Sequence, residues 1–232
     1  MTENRALPRL PDAVLFDMDG TLIDTEPWWM EGEAAYARQY GKQWTHEQAM
    51  QMVGRPILFA GQALKDLTAS EETPREIGDW LGAFVARKAE DDEVPFRPGV
   101  LRLLDELREA GVKVGLVTST LRDVAAPILD RVPGPKFDVT VTGSDVRNLK
   151  PDPEPYLLAI ANLGADASRT VVIEDSNSGV GSGLAAGARV IAVPHMVPVP
   201  AEPTLSRIDS LENLDLDGLR RLMAGATIDL LH

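Results

Sequence analysis

The run Ala13-Val14-Leu15-Phe16 ends directly in Asp17-Met18-Asp19-Gly20-Thr21, so four apolar residues without polar alternation lead into two carboxylates one residue apart. An unbroken apolar run of that length suits a strand buried on both faces, as in a parallel sheet covered by helices. Gly20 marks the turn that must follow. Asp17 is then expected at the carboxyl end of the strand, the edge where open α/β sheets bind ligands, with Asp19 in the loop just past it. Two acids so close need a cation or a shared proton, and Mg²⁺ is the cation expected here. An Asx turn would explain Asp19-Gly20 alone, but it does not explain Thr21 and Asp24 following the same buried strand.

From Pro27 to about Asp92 the α/β pattern stops, and only helical patterns are legible: Trp28 to Tyr40, Thr45 to Met52, Pro56 to Leu67 and Thr73 to Glu90. Thr73, Pro74 and Glu76 together make a helix start, with a cap, a proline at the first position and an acid in the first turn. Past Gly99 the α/β pattern returns. Val100, Leu103, Leu104, Leu107 and Ala110 repeat at helical spacing, and Gly111 stands where a left-handed residue closes a helix. Strands are expected at Val112 to Val117, Asp138 to Thr142, Thr170 to Ile173 and Arg189 to Val193. Helices are expected between them at Leu121 to Arg131, Pro153 to Leu163 capped by Asp152, and Ser178 to Ala186, with a last one at Leu211 to Met223. Strands alternating with helices imply a doubly wound parallel sheet, with residues 26–93 as a helical insertion between core segments 1–25 and 94–232.

The 232 residues suffice for a core plus an insertion. A formal net charge of −13 argues against nucleic acid or an anionic membrane as partner. The absence of cysteine excludes disulfides and thiolate metal sites and fits a reducing cytosol. No apolar stretch approaches the ~18 residues of a membrane span, and the first dozen residues read as a loose lead-in. Three scattered histidines do not suggest zinc, and His195 before a proline-rich turn reads as structural or exposed.

With every strand parallel, four stretches deliver polar groups to one edge: Asp17 and Asp19, Thr118 and Ser119, Lys150, and Glu174 with Asp175. Oxygens from Asp17, Asp175 and a backbone carbonyl match Mg²⁺, and a lysine and hydroxyl beside them could hold phosphoryl oxygens. The order of these stretches resembles the haloacid dehalogenase superfamily, in its phosphatase and phosphomutase branch. Asp17-Met18-Asp19-Gly20-Thr21 looks like its first motif, Thr118 its second, Lys150-Pro151 its third and Glu174-Asp175 its fourth. The helical insertion is similar to that family's small four-helix cap.

The resemblance implies a two-step phosphoryl transfer, with Asp17 as nucleophile and Asp19 as general acid and base. It further implies Mg²⁺ held by Asp17, the backbone oxygen of Asp19 and Asp175, with Glu174 either a ligand or a partner through water. Thr118 and Lys150 would bind the transferring oxygens, with Ser119 beside them. Gly54-Arg55, in a turn between cap helices, either grips a second group of the substrate or is ordinary surface. The substrate implied is a small phosphate monoester, a sugar or polyol phosphate first, and the chain is taken as a monomer with a homodimer as the alternative.

Three other readings compete. Mutases similar to β-phosphoglucomutase carry a histidine where this chain has Trp29, and Asp24-Thr25-Glu26-Pro27-Trp28-Trp29 looks more like the sugar-phosphate phosphatases. Dehalogenation does without the second aspartate, and Asp19 is present. A phosphoacceptor signalling module similar to response-regulator receivers would place its acceptor on the third strand and lack the helical insertion.

Overall fold

The computed structural model describes residues 8–135 and 137–231. Six strands form one parallel sheet: β1 (Ala13–Phe16), β2 (Lys113–Val117), β3 (Val139–Val141), β4 (Thr170–Glu174), β5 (Arg189–Ala192) and β6 (Ser206–Arg207). Their order is β3-β2-β1-β4-β5-β6, so β1 lies between β2 and β4. Phe16 pairs with Leu116 on one side and Ile173 on the other, which brings the next residues, Asp17, Val117 and Glu174, level with one another. The chain builds outward from β1 through β2 to β3, then crosses back to β4. Loops leaving β1 and β4 therefore diverge, and such a switch point opens a crevice at the carboxyl ends.

All four residues of β1 are fully buried, as the apolar run requires. Side chains alternate across a strand. Val14 and Phe16 accordingly pack with Leu103, Leu104 and Leu107 of α5 (Val100–Glu109) and with Ala125 and Ile128 of α6 (Arg122–Asp130). Ala13 and Leu15 face the other way, onto Tyr156 and Ala159 of α7 (Glu154–Leu163) and Val180 of α8 (Asn177–Ala185).

The insertion forms α1 (Glu26–Gln39), α2 (His46–Met50), α3 (Ile57–Thr68) and α4 (Pro74–Asp91). Thr45 with Gln48 and Thr73 with Glu76 each close a reciprocal capping box. Tyr36, Leu64, Ile77 and Leu81 form a core of the insertion's own. The chain leaves and re-enters side by side: Asp24 N donates to Pro95 O at 2.9 Å and Arg97 N to Leu22 O at 3.0 Å. Arg131, just past α6, donates to the last carbonyls of α4, at 2.9 Å to Ala89 and 3.0 Å to Glu90.

Some expectations need correction. The two-residue β6 in the proline-rich segment carries no periodicity from which to read a strand. The last helix is not continuous: Leu211–Asn213 is one 3-10 turn, and α9 (Leu216–Met223) starts afresh where the Asp215 side chain accepts from Gly218 N at 2.7 Å. Aspartate competes for backbone donors and so favours a cap over a helix interior. Asp152 caps from one residue further out than expected, its Oδ1 accepting from Glu154 N at 2.9 Å. Residues 1–7 of the supposed loose lead-in lie outside the described residues. Its last part is tied down, with Arg169 bonded to Asp12 at 2.7 Å and to Leu10 O at 2.6 Å. Among the described residues, no helix is long and apolar enough to cross a membrane.

Candidate active site

Asp17 extends β1 by one residue and is 7% exposed. Lys150, in the loop between β3 and α7, reaches it. Its Nζ lies 2.6 Å from Asp17 Oδ1, 2.6 Å from Glu174 Oε1 and 2.8 Å from Val117 O, so all three ammonium donors are spoken for. Glu174 is fully buried, and its Oε1 also accepts from the Tyr156 hydroxyl at 2.8 Å. The other oxygen, Oε2, accepts from Ser176 Oγ at 3.1 Å. Asp17, Glu174 and Asp175 each offer an oxygen, and these oxygens lie within 4.8 Å of one another.

Three carboxylates thus face one ammonium. Burial, then Glu174, pushes the Asp17 carboxyl up to about 8, with Lys150 pulling the other way. Asp175 is raised well above its ordinary value by burial and then by Asp17 and Glu174. Burial works against the charged form of Lys150, but Asp17 and Glu174 outweigh it and hold its pKa above the ordinary lysine value. The surplus of negative charge, on hard oxygen donors, is what a divalent cation such as Mg²⁺ would relieve. The residues present fit that ion.

Asp19 has a separate setting. Its Oδ1 accepts from Thr25 Oγ1 at 2.6 Å, and its Oδ2 from Thr120 Oγ1 at 2.7 Å and Thr118 Oγ1 at 3.3 Å. The hydroxyls come from two places, the loop after β2 and the entry to α1. Asp19 is therefore held at the junction of core and insertion.

Two glycines make room for the acids. A Cβ on Gly20, whose φ is +84°, would stand 2.1 Å from Asp175 Oδ2, and one on Gly179 would stand 1.7 Å from Glu174 Oε1. Gly179→Ala must displace the Glu174 carboxylate and with it Lys150. We expect a loss of about 1–3 kcal/mol in chemical denaturation, with activity falling far more steeply than that loss of fold would explain.

The structure thus gathers Asp17, Asp19, Thr118, Lys150, Glu174 and Asp175 at one edge. Ser119, next to Thr118, is exposed and makes no hydrogen bond to these groups among the described residues. Gly54 and Arg55 form an exposed turn, with the Arg55 guanidinium 5.5 Å over the Phe59 ring. His195 Nε2 lies 3.0 Å from Asp24 Oδ1 at the entry to the insertion, and the two buried atoms meet no hydrogen-bond partner among the described residues. Sequence reasoning passed over Thr25, Thr120, Tyr156 and Gly179. Thr120 was within reach of it, because the alternation that exposes Ser119 turns Thr118 and Thr120 to one side; Tyr156 carried no such signal. Two surface hollows elsewhere, about 210 Å³ beside Arg122 and Phe137 and about 530 Å³ beside Phe96 and Glu212, hold no such convergence of groups.

Comparison with known proteins agrees with this geometry. A phosphorylated carbohydrates phosphatase of Thermotoga maritima is 37% identical over 192 residues, covering 79% of this chain and 86% of that one. Hexitol phosphatase A of Escherichia coli is 32% identical, over 84% of this chain and 87% of its own. The crystal structure of CbbY from Rhodobacter sphaeroides, in complex with phosphate, superposes with a TM-score of 0.81 at 25% identity, covering 90% of this chain and 99% of that one. The family model for haloacid dehalogenase-like hydrolases matches residues 14–193, from the first strand to the end of the fifth. The parallel sheet, the inserted helical cap and these matches agree, and the chain belongs to the haloacid dehalogenase-like hydrolase family.

Proposed function

We propose that this chain is a Mg²⁺-dependent phosphatase of small phosphorylated metabolites, sugar or polyol phosphates foremost, acting through an aspartyl phosphate on Asp17. The observation that carries the reading is the Lys150 ammonium bridging Asp17 and Glu174 at 2.6 Å each, one residue from an acid in its own cradle of hydroxyls. The carbohydrate phosphatases among the relatives support the substrate class.

Lys150 occupies Asp17 Oδ1 and favours its charged form against burial, and with the cation held the group would be ionised, which leaves Oδ2 to attack phosphorus in line. The bond from phosphorus to the leaving oxygen breaks as Asp19 gives that oxygen its proton. Asp19 then takes a proton from the water that attacks the aspartyl phosphate, releasing phosphate and restoring Asp17. Thr25, Thr118 and Thr120 orient Asp19 for both transfers. Asp17, Asp175 and the backbone oxygen of Asp19 would hold Mg²⁺, which supplies charge to the phosphoryl oxygens. Glu174, with both oxygens bonded by Lys150, Tyr156 and Ser176, positions Lys150 in this scheme. The cap formed by residues 26–93 excludes water and contacts the leaving group. Trp29 packs between cap and core where a mutase would need a histidine.

Phosphate release from a panel of monoesters, with Mg²⁺ and then with EDTA, tests this. Turnover of many equivalents of sugar phosphate, lost in EDTA, is the expected result; a single stable phosphoryl group per chain would indicate a signalling module instead.

Mg²⁺ should also stabilise the fold in a pH-dependent way. The Asp17 pKa rises from 3.8 to about 8 on folding, so the folded chain binds the extra proton and metal-free stability falls as pH rises through that window. Bound cation displaces that proton, so its effect grows with pH. At a hundred times its Kd the ion adds about 2.7 kcal/mol, roughly 5–10 °C in Tm for a chain of this size. A melting scan should show that gain near pH 8 and much less near pH 5; an equal gain at both would contradict the assignment.

A further inference from the structure

Tyr156 stands in the first turn of α7, just past Lys150 in the chain, and is fully buried. Its side chain meets both members of the buried ion pair, each with a different part. The hydroxyl donates to Glu174 Oε1 at 2.8 Å, and the ring centroid lies 4.9 Å from Lys150 Nζ. A ring face attracts a cation within ~6 Å, and more strongly out of water. Phenylalanine would fill the same space with no buried hydroxyl to satisfy, so it is the partner of the hydroxyl that calls for tyrosine here.

The segment that carries the lysine and the tyrosine is braced. Glu154, at the start of α7, accepts from Arg147 N and Asn148 N at 2.9 Å each, and Ser182 Oγ of α8 donates to Asp152 O at 2.6 Å. These bonds hold the ring beside the ammonium. Lys150 Nζ lies 2.6 Å from Glu174 Oε1 and 2.6 Å from Asp17 Oδ1, so it is shared evenly between the acid that attacks and one that does not. A donor that draws charge from Glu174 Oε1 weakens the hold of that oxygen on the ammonium and leaves more of the positive charge to Asp17. Burial and then the Glu174 charge hold the phenol well above its ordinary pKa, so it stays a donor.

We infer that Tyr156 is a positioning residue for the nucleophile: its hydroxyl and its ring together set the place of the Lys150 ammonium, and through that the aim of Asp17. It acts through Glu174 and Lys150 rather than on the substrate. The inference rests on the phosphatase reading and deepens it by giving a role to a residue outside the reaction scheme.

The test uses p-nitrophenyl phosphate and sorbitol 6-phosphate at saturating Mg²⁺. Tyr156→Phe keeps the ring and Tyr156→Leu keeps neither part, and each is assayed where circular dichroism shows it folded. Tyr156→Phe should lower kcat about tenfold and kcat/KM by the same factor, with KM within about twofold of the parent, the mark of an interaction that acts only in the transition state. Release of p-nitrophenolate in a single turnover reads the attack by Asp17 itself, and it should slow at least as much as kcat. Tyr156→Leu should lose about tenfold more; if it does not fold, the phenylalanine variant decides alone. A phenylalanine variant that melts lower yet turns over within about twofold of the parent would show a tyrosine that only packs. A rise in KM at unchanged kcat would place the loss in substrate binding. Either result overturns the inference and leaves the phosphatase reading standing, whereas no turnover of either ester by the unmutated chain would overturn both.

Discussion

Asp17→Asn should lower phosphate release by at least about 10⁴-fold, the order seen when a nucleophile is removed from an otherwise intact site. The amide oxygen is uncharged and far too weak a nucleophile to attack phosphorus. Stability should move the other way. In the unmutated chain burial and the neighbouring Glu174 carboxylate push Asp17 up to about 8, so above that pH the site holds acids that repel one another. Asparagine keeps the volume and removes one of them, leaving Lys150 paired with Glu174. The metal-free variant should melt no lower than the parent, and its gain from Mg²⁺ should be smaller because one ligand is lost. Activity above about one hundredth of the parent's would remove Asp17 from the role of nucleophile.

The contrast between activity and stability shows what was legible in the sequence. Val14 to Phe16 could be read as a doubly covered strand because nothing polar interrupts them, and the burial of all four residues of β1 bears this out. Helix starts at Thr73 and closures at Gly111 are local chemistry, and both stand where expected. Asp17, Lys150 and Glu174 could be brought together on paper because parallel strands share an edge, so chain order alone predicts proximity. The partners that depend on side-chain reach were not legible. Tyr156 meets Glu174 because α7 crosses the sheet at one particular height, and Gly179 is required only because a carboxylate 1.7 Å from its missing Cβ fills the space. The two-residue β6 falls below the length at which a period of two can be counted. Asp215 had the residue type of a cap, but Leu211, Leu214, Leu219 and Leu222 recur at helix-like spacing across it and masked the break.

Replacing Lys150 with methionine should cost the fold about 3–5 kcal/mol, the range for breaking a buried ion pair from one side. Three acceptors converge on this ammonium, and methionine would leave the Asp17 and Glu174 carboxylates buried without it. The pH dependence separates this cause from simple misfit. Lys150 has its pKa raised in the folded chain, so its stabilisation is fully present at and below neutral pH and would be lost only in strong alkali. Removing it drives the already raised Asp17 carboxyl higher still, and protonation then relieves the repulsion. The deficit measured by urea denaturation should therefore level off below about pH 7 and grow as pH rises above about 8; a deficit independent of pH across that range would point to packing instead. Lys150→Arg should not rescue activity, because a planar guanidinium cannot aim donors at Asp17, Glu174 and the Val117 carbonyl from one point. The same ammonium that favours the charged form of the nucleophile thus also makes it tolerable to bury two carboxylates at the end of the sheet.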